Sequence, residues 1–148
     1  MTDLILAILH HLLVFGLAAL LAMEAALVRP GMTAAQAAFV SRLDAGYGMT
    51  AGLILGVGIL RVWLGSKGWD YYADNSWFWG KMIAFGAMGL MSIPPTLRIV
   101  TWGRARRTDP AFVPDAAEIA RVRRWFGLQA LALVVVLAFA ATMARFAG

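Results

Sequence analysis

Within or at the edge of the apolar stretches of this 148-residue chain sit polar side chains that include His10, His11, Glu24, Asp44, Tyr47, Arg61, Lys81, Ser92, Gln129 and Thr142. An ionisable group at membrane depth costs about 2.5 to 3.5 kcal/mol on insertion scales, so such groups usually face a bundle interior and mark function. At 100° per residue His10 and Glu24 lie about 40° apart and share a helical stripe, whereas His11 lies about 140° from Glu24. The same fourteen-residue spacing joins Tyr47 to Arg61, and Lys81, Met88 and Ser92 share a third stripe. Each stripe is a candidate inner face. Glu24, Asp44 and Tyr47 form one polar level; His10, His11, Arg61 and Lys81 form another near the opposite membrane surface.

Adjacent histidines point about 100° apart, so they cannot clasp one iron from opposite sides. At most one is an axial ligand. A lone inward imidazole beneath basic and aromatic groups suits haem b, with His10 on the iron and His11 as its substitute. Lys81 and Arg61 would neutralise the propionates, and Trp77 or Trp79 would wall the pocket. For the sixth position Lys81 and Met88 are the candidates, and an open site is an equal alternative. Each residue also has a plainer role. His11 suits the interface, Arg61 and Lys81 can snorkel, and Met88 can be core filler. Glu24 can pair with Arg29 or Arg42, and Asp44 with Arg42 or an arginine of the fourth span. With no cysteine in the chain, disulfides, thiolate metal sites, iron–sulfur clusters and covalently attached haem are excluded. No phosphate loop, zinc helix or serine triad is present, and no catalytic residue is assigned.

The elements that must position these groups are membrane helices. Hydrophobic residues make up 61% of the chain and charged residues 14%, against about 45 to 50% and about 25% in soluble domains. Apolar runs at about residues 4–28, 45–64, 77–100 and 126–146 are each long enough to span, since about 20 helical residues cross the hydrocarbon core. The expected fold is all-α: an integral-membrane four-helix bundle, antiparallel up-down-up-down, in a single transmembrane domain over residues 1–148. Arg29-Pro30-Gly31 stops the first helix, and Thr33 with Gln36 forms a capping box for the second. Pro114-Asp115 with Glu118 opens the fourth. Both starts precede their apolar runs, so helices two and four should extend into the cytoplasm. Gly65 ends the second helix, Asp74-Asn75-Ser76 can cap the third, and tandem Pro94-Pro95 should bend or end it just before Arg98.

Arginines crowd residues 29–42 and 98–124, while Lys67 and Arg145 stand on the other face. By the positive-inside rule the arginine-rich face is cytoplasmic and both termini are periplasmic, in a bacterial inner membrane. The 65–76 loop and its flank, with Trp69, Tyr71, Tyr72, Trp77 and Trp79, suit the headgroup belt. The net charge of +5 comes from these short orienting segments, so nucleic acid is not an expected partner. Gly48, Gly52 and Gly56 follow the small-xxx-small pattern, which permits close packing within the bundle or a homo-oligomer.

The segments His10-His11-Leu12, Arg42 to Gly48, Trp79-Gly80-Lys81, Ser92 to Arg98 and Glu118 to Arg124 resemble an uncharacterised family of small bacterial four-helix predicted membrane proteins. A more distant resemblance is to the HemJ-type membrane protoporphyrinogen oxidases, with His10 or His11, Trp77 or Trp79, and Lys81 at the places of that family's essential histidine, Trp and Lys. This resemblance implies a porphyrin or haem site. The expected function is therefore a haem-b-binding inner-membrane protein, a porphyrin- or quinone-linked oxidoreductase. The alternatives are a small transporter or channel subunit and a structural assembly factor without cofactor.

Overall fold

The computed structural model describes residues 1–65 and 68–146; Lys67, counted above on the arginine-poor face, lies outside them. Regular structure among the described residues is helical throughout: α1 (Thr2–Leu27), α2 (Ala34–Leu64), short α3 (Gly68–Ala73), α4 (Ser76–Thr108) and α5 (Ala116–Phe146). All but α3 are long and apolar enough to cross a membrane. At 1.5 Å per residue each exceeds the roughly 30 Å hydrocarbon core. Helix is the natural state of such segments, because every backbone donor and acceptor is satisfied inside the element.

Local chemistry sets the ends. After α1, Pro30 and Gly31 occupy the centre of a tight turn closed by Met32 N–H donating to the Arg29 carbonyl (3.0 Å). Gly31 takes a φ of +80° there, the left-handed conformation that the third position of such a turn requires. Thr33 and Gln36 form the reciprocal capping box of α2, at 3.2 and 2.8 Å. Asn75 Oδ1 accepts from Trp77 N–H at the start of α4 (2.9 Å), and Asp115 Oδ1 accepts from Glu118 N–H at the start of α5 (2.8 Å). The α2 helix ends at Gly65 as expected.

The tandem prolines do not end a helix, since α4 continues through them to Thr108. They deprive the Leu90 and Met91 carbonyls of their usual donors, but a break would leave more backbone groups unpaired in lipid. Pro95 is fully buried, and Ser92 Oγ donates to the Gly89 carbonyl one turn earlier (2.7 Å).

Helix α1 packs along α2 and α4 along α5, and the two pairs meet through α2–α4 and α1–α5 contacts. Their interior is one apolar cluster that includes Leu17, Tyr47, Ile54, Met88, Trp102 and Phe126. Outward-facing Phe15, Leu53, Ile83, Leu90 and Leu131 are more than half exposed. Acyl chains solvate such side chains, so close packing and buried polar contacts, not water exclusion, must hold the helices together. Gly80 illustrates the tightness: a Cβ there would lie 2.6 Å from Phe139 Cε1 of α5. Gly48, Gly52 and Gly56 have nothing within 4 Å of an added Cβ, so this glycine stripe is not used inside the bundle.

Candidate functional site

Three heptads of sequence build the interior. His10, Leu17 and Glu24 follow at seven-residue steps on α1, Tyr47, Ile54 and Arg61 on α2, and Lys81, Met88 and Pro95 on α4. Seven residues return within about 20° of the starting direction and advance about 10 Å, so each helix presents a polar group, an apolar group and a third group in one line. The middle members Leu17, Ile54 and Met88 are all buried in the same cluster. They form an apolar layer with a polar level on either side.

The first level joins α1, α2 and α4. The His10 ring lies against Gly58, whose added Cβ would be 3.6 Å from His10 Cε1. Arg61 and Lys81 are both close enough for their charges to act on the imidazole. Two buried polar atoms here, His10 Nδ1 and Arg61 Nε, have no hydrogen-bond partner. The Lys81 ammonium sits 5.1 Å from the Phe78 ring centroid, a cation–π contact, and Phe78 packs with Tyr72 and Val62.

The second level lies seven residues beyond the apolar layer on α1. Glu24 is buried with Oε1 unpartnered, and the Tyr47 hydroxyl is buried and unpartnered as well. Asp44 Oδ1 accepts from the Thr96 hydroxyl of α4 (2.7 Å). Glu24, Asp44 and Tyr47 lie within electrostatic reach of one another. Gln129 of α5 is buried too, its Nε2 donating to the Trp125 carbonyl at 3.5 Å. A groove of about 740 Å³ runs between α2 and α4 beside this level, lined by Asp44, Tyr47, Ser92 and Thr96 and, toward the arginine-rich end, by Arg104 and Arg107.

Several expected partners are placed elsewhere. His11 is exposed, and its Nδ1 donates to the Ala7 carbonyl of its own helix (2.7 Å), so it points away from the His10 contact with α2. Trp77 faces Phe139 of α5, ring centroids 6.0 Å apart. Trp79 Nε1 donates to the Ala73 carbonyl (2.9 Å). Both indoles are about half exposed, and the aromatic group beside Lys81 is Phe78. Met88 sits in the apolar layer, about 10 Å along α4 from Lys81. Neither expected carboxylate pairing forms: Glu24 and Asp44 make no ion pair with Arg29, Arg42 or an arginine of α5, and among the described residues both salt bridges run to Glu118, from Arg98 (2.9 Å) and Arg121 (3.4 Å). Arg123 instead donates to the Ala25 and Val28 carbonyls at the end of α1 (3.1 and 2.8 Å). Tyr72, expected among headgroups, is buried against Phe78.

Thr96 and Phe78 were not legible as site residues. In the sequence Phe78 is one more apolar residue between two tryptophans. The pairing of Thr96 with Asp44 crosses between helices and leaves no local spacing to find.

Four membrane-length helices carrying one half-buried and one buried polar level define an α-helical multi-pass membrane protein in contact with the lipid bilayer. The chain belongs to the family described as Predicted membrane protein (DUF2214), whose model matches residues 2–148. No curated protein and no solved structure matches it.

Proposed function

We propose that this is a haem-b- or porphyrin-binding protein of the bacterial inner membrane, an oxidoreductase of the kind that the HemJ-type resemblance suggests. The observation that carries this reading is the His10 imidazole, its Nδ1 buried and unpartnered beside two cationic side chains. A basic nitrogen in apolar surroundings is a competent iron ligand, and Arg61 and Lys81 supply the positive charge that two propionates need. The donor set therefore fits the group. In this reading His10 would hold the iron, Arg61 and Lys81 would hold the carboxylates, and Phe78 would take the wall position expected of Trp77 or Trp79. His11 is left to the lipid side, and Met88 belongs to the apolar layer and not to the set that would hold the group. The bound group supplies the redox chemistry, while the protein sets its orientation, potential and access to water.

The same reading includes an up-down-up-down bundle with the arginine-rich segments in the cytoplasm and the starts of α2 and α5 projecting beyond the membrane. A continuous solute path is disfavoured by the Leu17–Ile54–Met88 layer, which separates the two polar levels. Absorption spectra of the purified protein, oxidised and reduced, test the proposal. A Soret band that shifts on reduction is expected, and protein that stays colourless after haem supplementation overturns it.

A further inference from the structure

We propose that Glu24, Asp44 and Tyr47 form a proton-binding site inside the membrane, which exchanges its proton with the arginine-rich side through the groove between α2 and α4. The argument starts from charge. Two carboxylates lie close together below the surface of the bundle, Glu24 1% and Asp44 8% exposed, and neither has an ion-pair partner among the described residues. A buried carboxylate without a counter-charge is among the most costly arrangements in a protein, and two adjacent ones are worse. Something must neutralise them.

The groups facing the pair from each packed element limit what that is. Helix α1 contributes Glu24 alone, and α2 contributes Asp44 and the Tyr47 hydroxyl. From α4 come the Thr96 hydroxyl, already donating to Asp44, and Arg104 and Arg107 farther along the groove. On α5 Gln129 is neutral and Arg123 is engaged with the α1 carbonyls. Among the described residues no group of three or more His, Cys, Asp or Glu side chains could hold a metal ion, so the set is poor for a divalent cation. A proton needs only oxygen atoms. Glu24 Oε1 and the Tyr47 hydroxyl, each buried and unpartnered, provide an acceptor and a donor beside Asp44.

A proton also needs a route, and the groove supplies one. Asp44 and Tyr47 line it, Ser92 and Thr96 add hydroxyls, and it extends to Arg104 and Arg107. The site is independent of the haem reading, because the Leu17–Ile54–Met88 layer lies between it and His10.

Infrared difference spectroscopy of the full-length protein in liposomes tests this, with the bath pH stepped on one side. The expected result is a carboxylic-acid C=O band that changes with pH, shifts in D₂O, and is lost in Glu24→Gln or Asp44→Asn. Tyr47→Phe, which keeps the ring, should displace the band without abolishing it. Gly48 also lines the groove, so Gly48→Trp should fill it and slow the response to a step on the arginine-rich side severalfold. Absence of any pH-dependent carboxyl band in the unmodified protein overturns the proposal, whatever the variants do. A band unchanged in both carboxylate variants that remain helical overturns it too, as does a faster response from the opposite side.

Discussion

The Thr96 hydroxyl of α4 donates a 2.7 Å hydrogen bond to Asp44 Oδ1 of α2, and it ties the α1–α2 pair to the α4–α5 pair at the level of the buried carboxylates. Interhelical hydrogen bonds of this kind in membrane proteins average about 0.6 kcal/mol and reach about 1.7. Thr96→Val should therefore destabilise the protein by that order in reversible unfolding from mixed micelles, and Thr96→Ser should recover most of it. Equal stabilities for all three proteins would show that the bond contributes nothing.

Arg123 closes the end of α1 by donating to the Ala25 and Val28 carbonyls, in a helix with no basic residue in its own last turn. Removing a charged donor from such carbonyls costs about 1.5 to 3 kcal/mol. Arg123→Gln should show that loss in thermal unfolding. Arg121→Gln, which removes only an exposed bridge to Glu118, should cost less than about 1 kcal/mol. Similar losses in both would mean that net charge, not the carbonyl contact, is what matters.

Gly80 is required by the Phe139 ring. A methyl group at position 80 would overlap that ring at 2.6 Å, and overpacking of this type costs about 1 to 3 kcal/mol. Gly80→Ala should be destabilising alone and better tolerated with Phe139→Leu. A double-mutant cycle without coupling would refute the contact.

Orientation is accessible because the natural chain has no cysteine. Cysteines introduced one at a time at the exposed positions Asp74 and Arg107 should report opposite sides to a membrane-impermeant maleimide. In cells with a permeabilised outer membrane the label should reach Asp74→Cys at once, and Arg107→Cys only after the inner membrane is opened. The reverse order would invert the proposed topology.

Much of this arrangement was readable from spacing. The spans follow from long, predominantly apolar runs, and the Thr33–Gln36 box and the Asp115 cap from local hydrogen-bonding chemistry, which depends on residues three apart. The fourteen-residue intervals placed His10 with Glu24 and Tyr47 with Arg61 on shared faces because an α-helix nearly repeats every seven residues. Contacts between helices were harder. Trp77 and Trp79 were expected around the site, but their side of α4 is set by packing against Phe139 and by a carbonyl of α3, an element that was not anticipated. Arg123 read as one basic residue among several, since its partners are carbonyls, which every sequence position offers. The helix through Pro94 and Pro95 continued because lipid penalises a break more than the lost hydrogen bonds.

His10 faces α2 and the bundle interior, within reach of the Lys81 charge, while His11 faces outward, and the haem absorbance of the two alanine variants tests that difference. Purified His10→Ala should lack the Soret band that the haem proposal predicts for the unmodified protein after haem supplementation, and His11→Ala should retain it at full intensity. A band lost with His11→Ala and kept with His10→Ala, or kept in both, would contradict the arrangement at its centre.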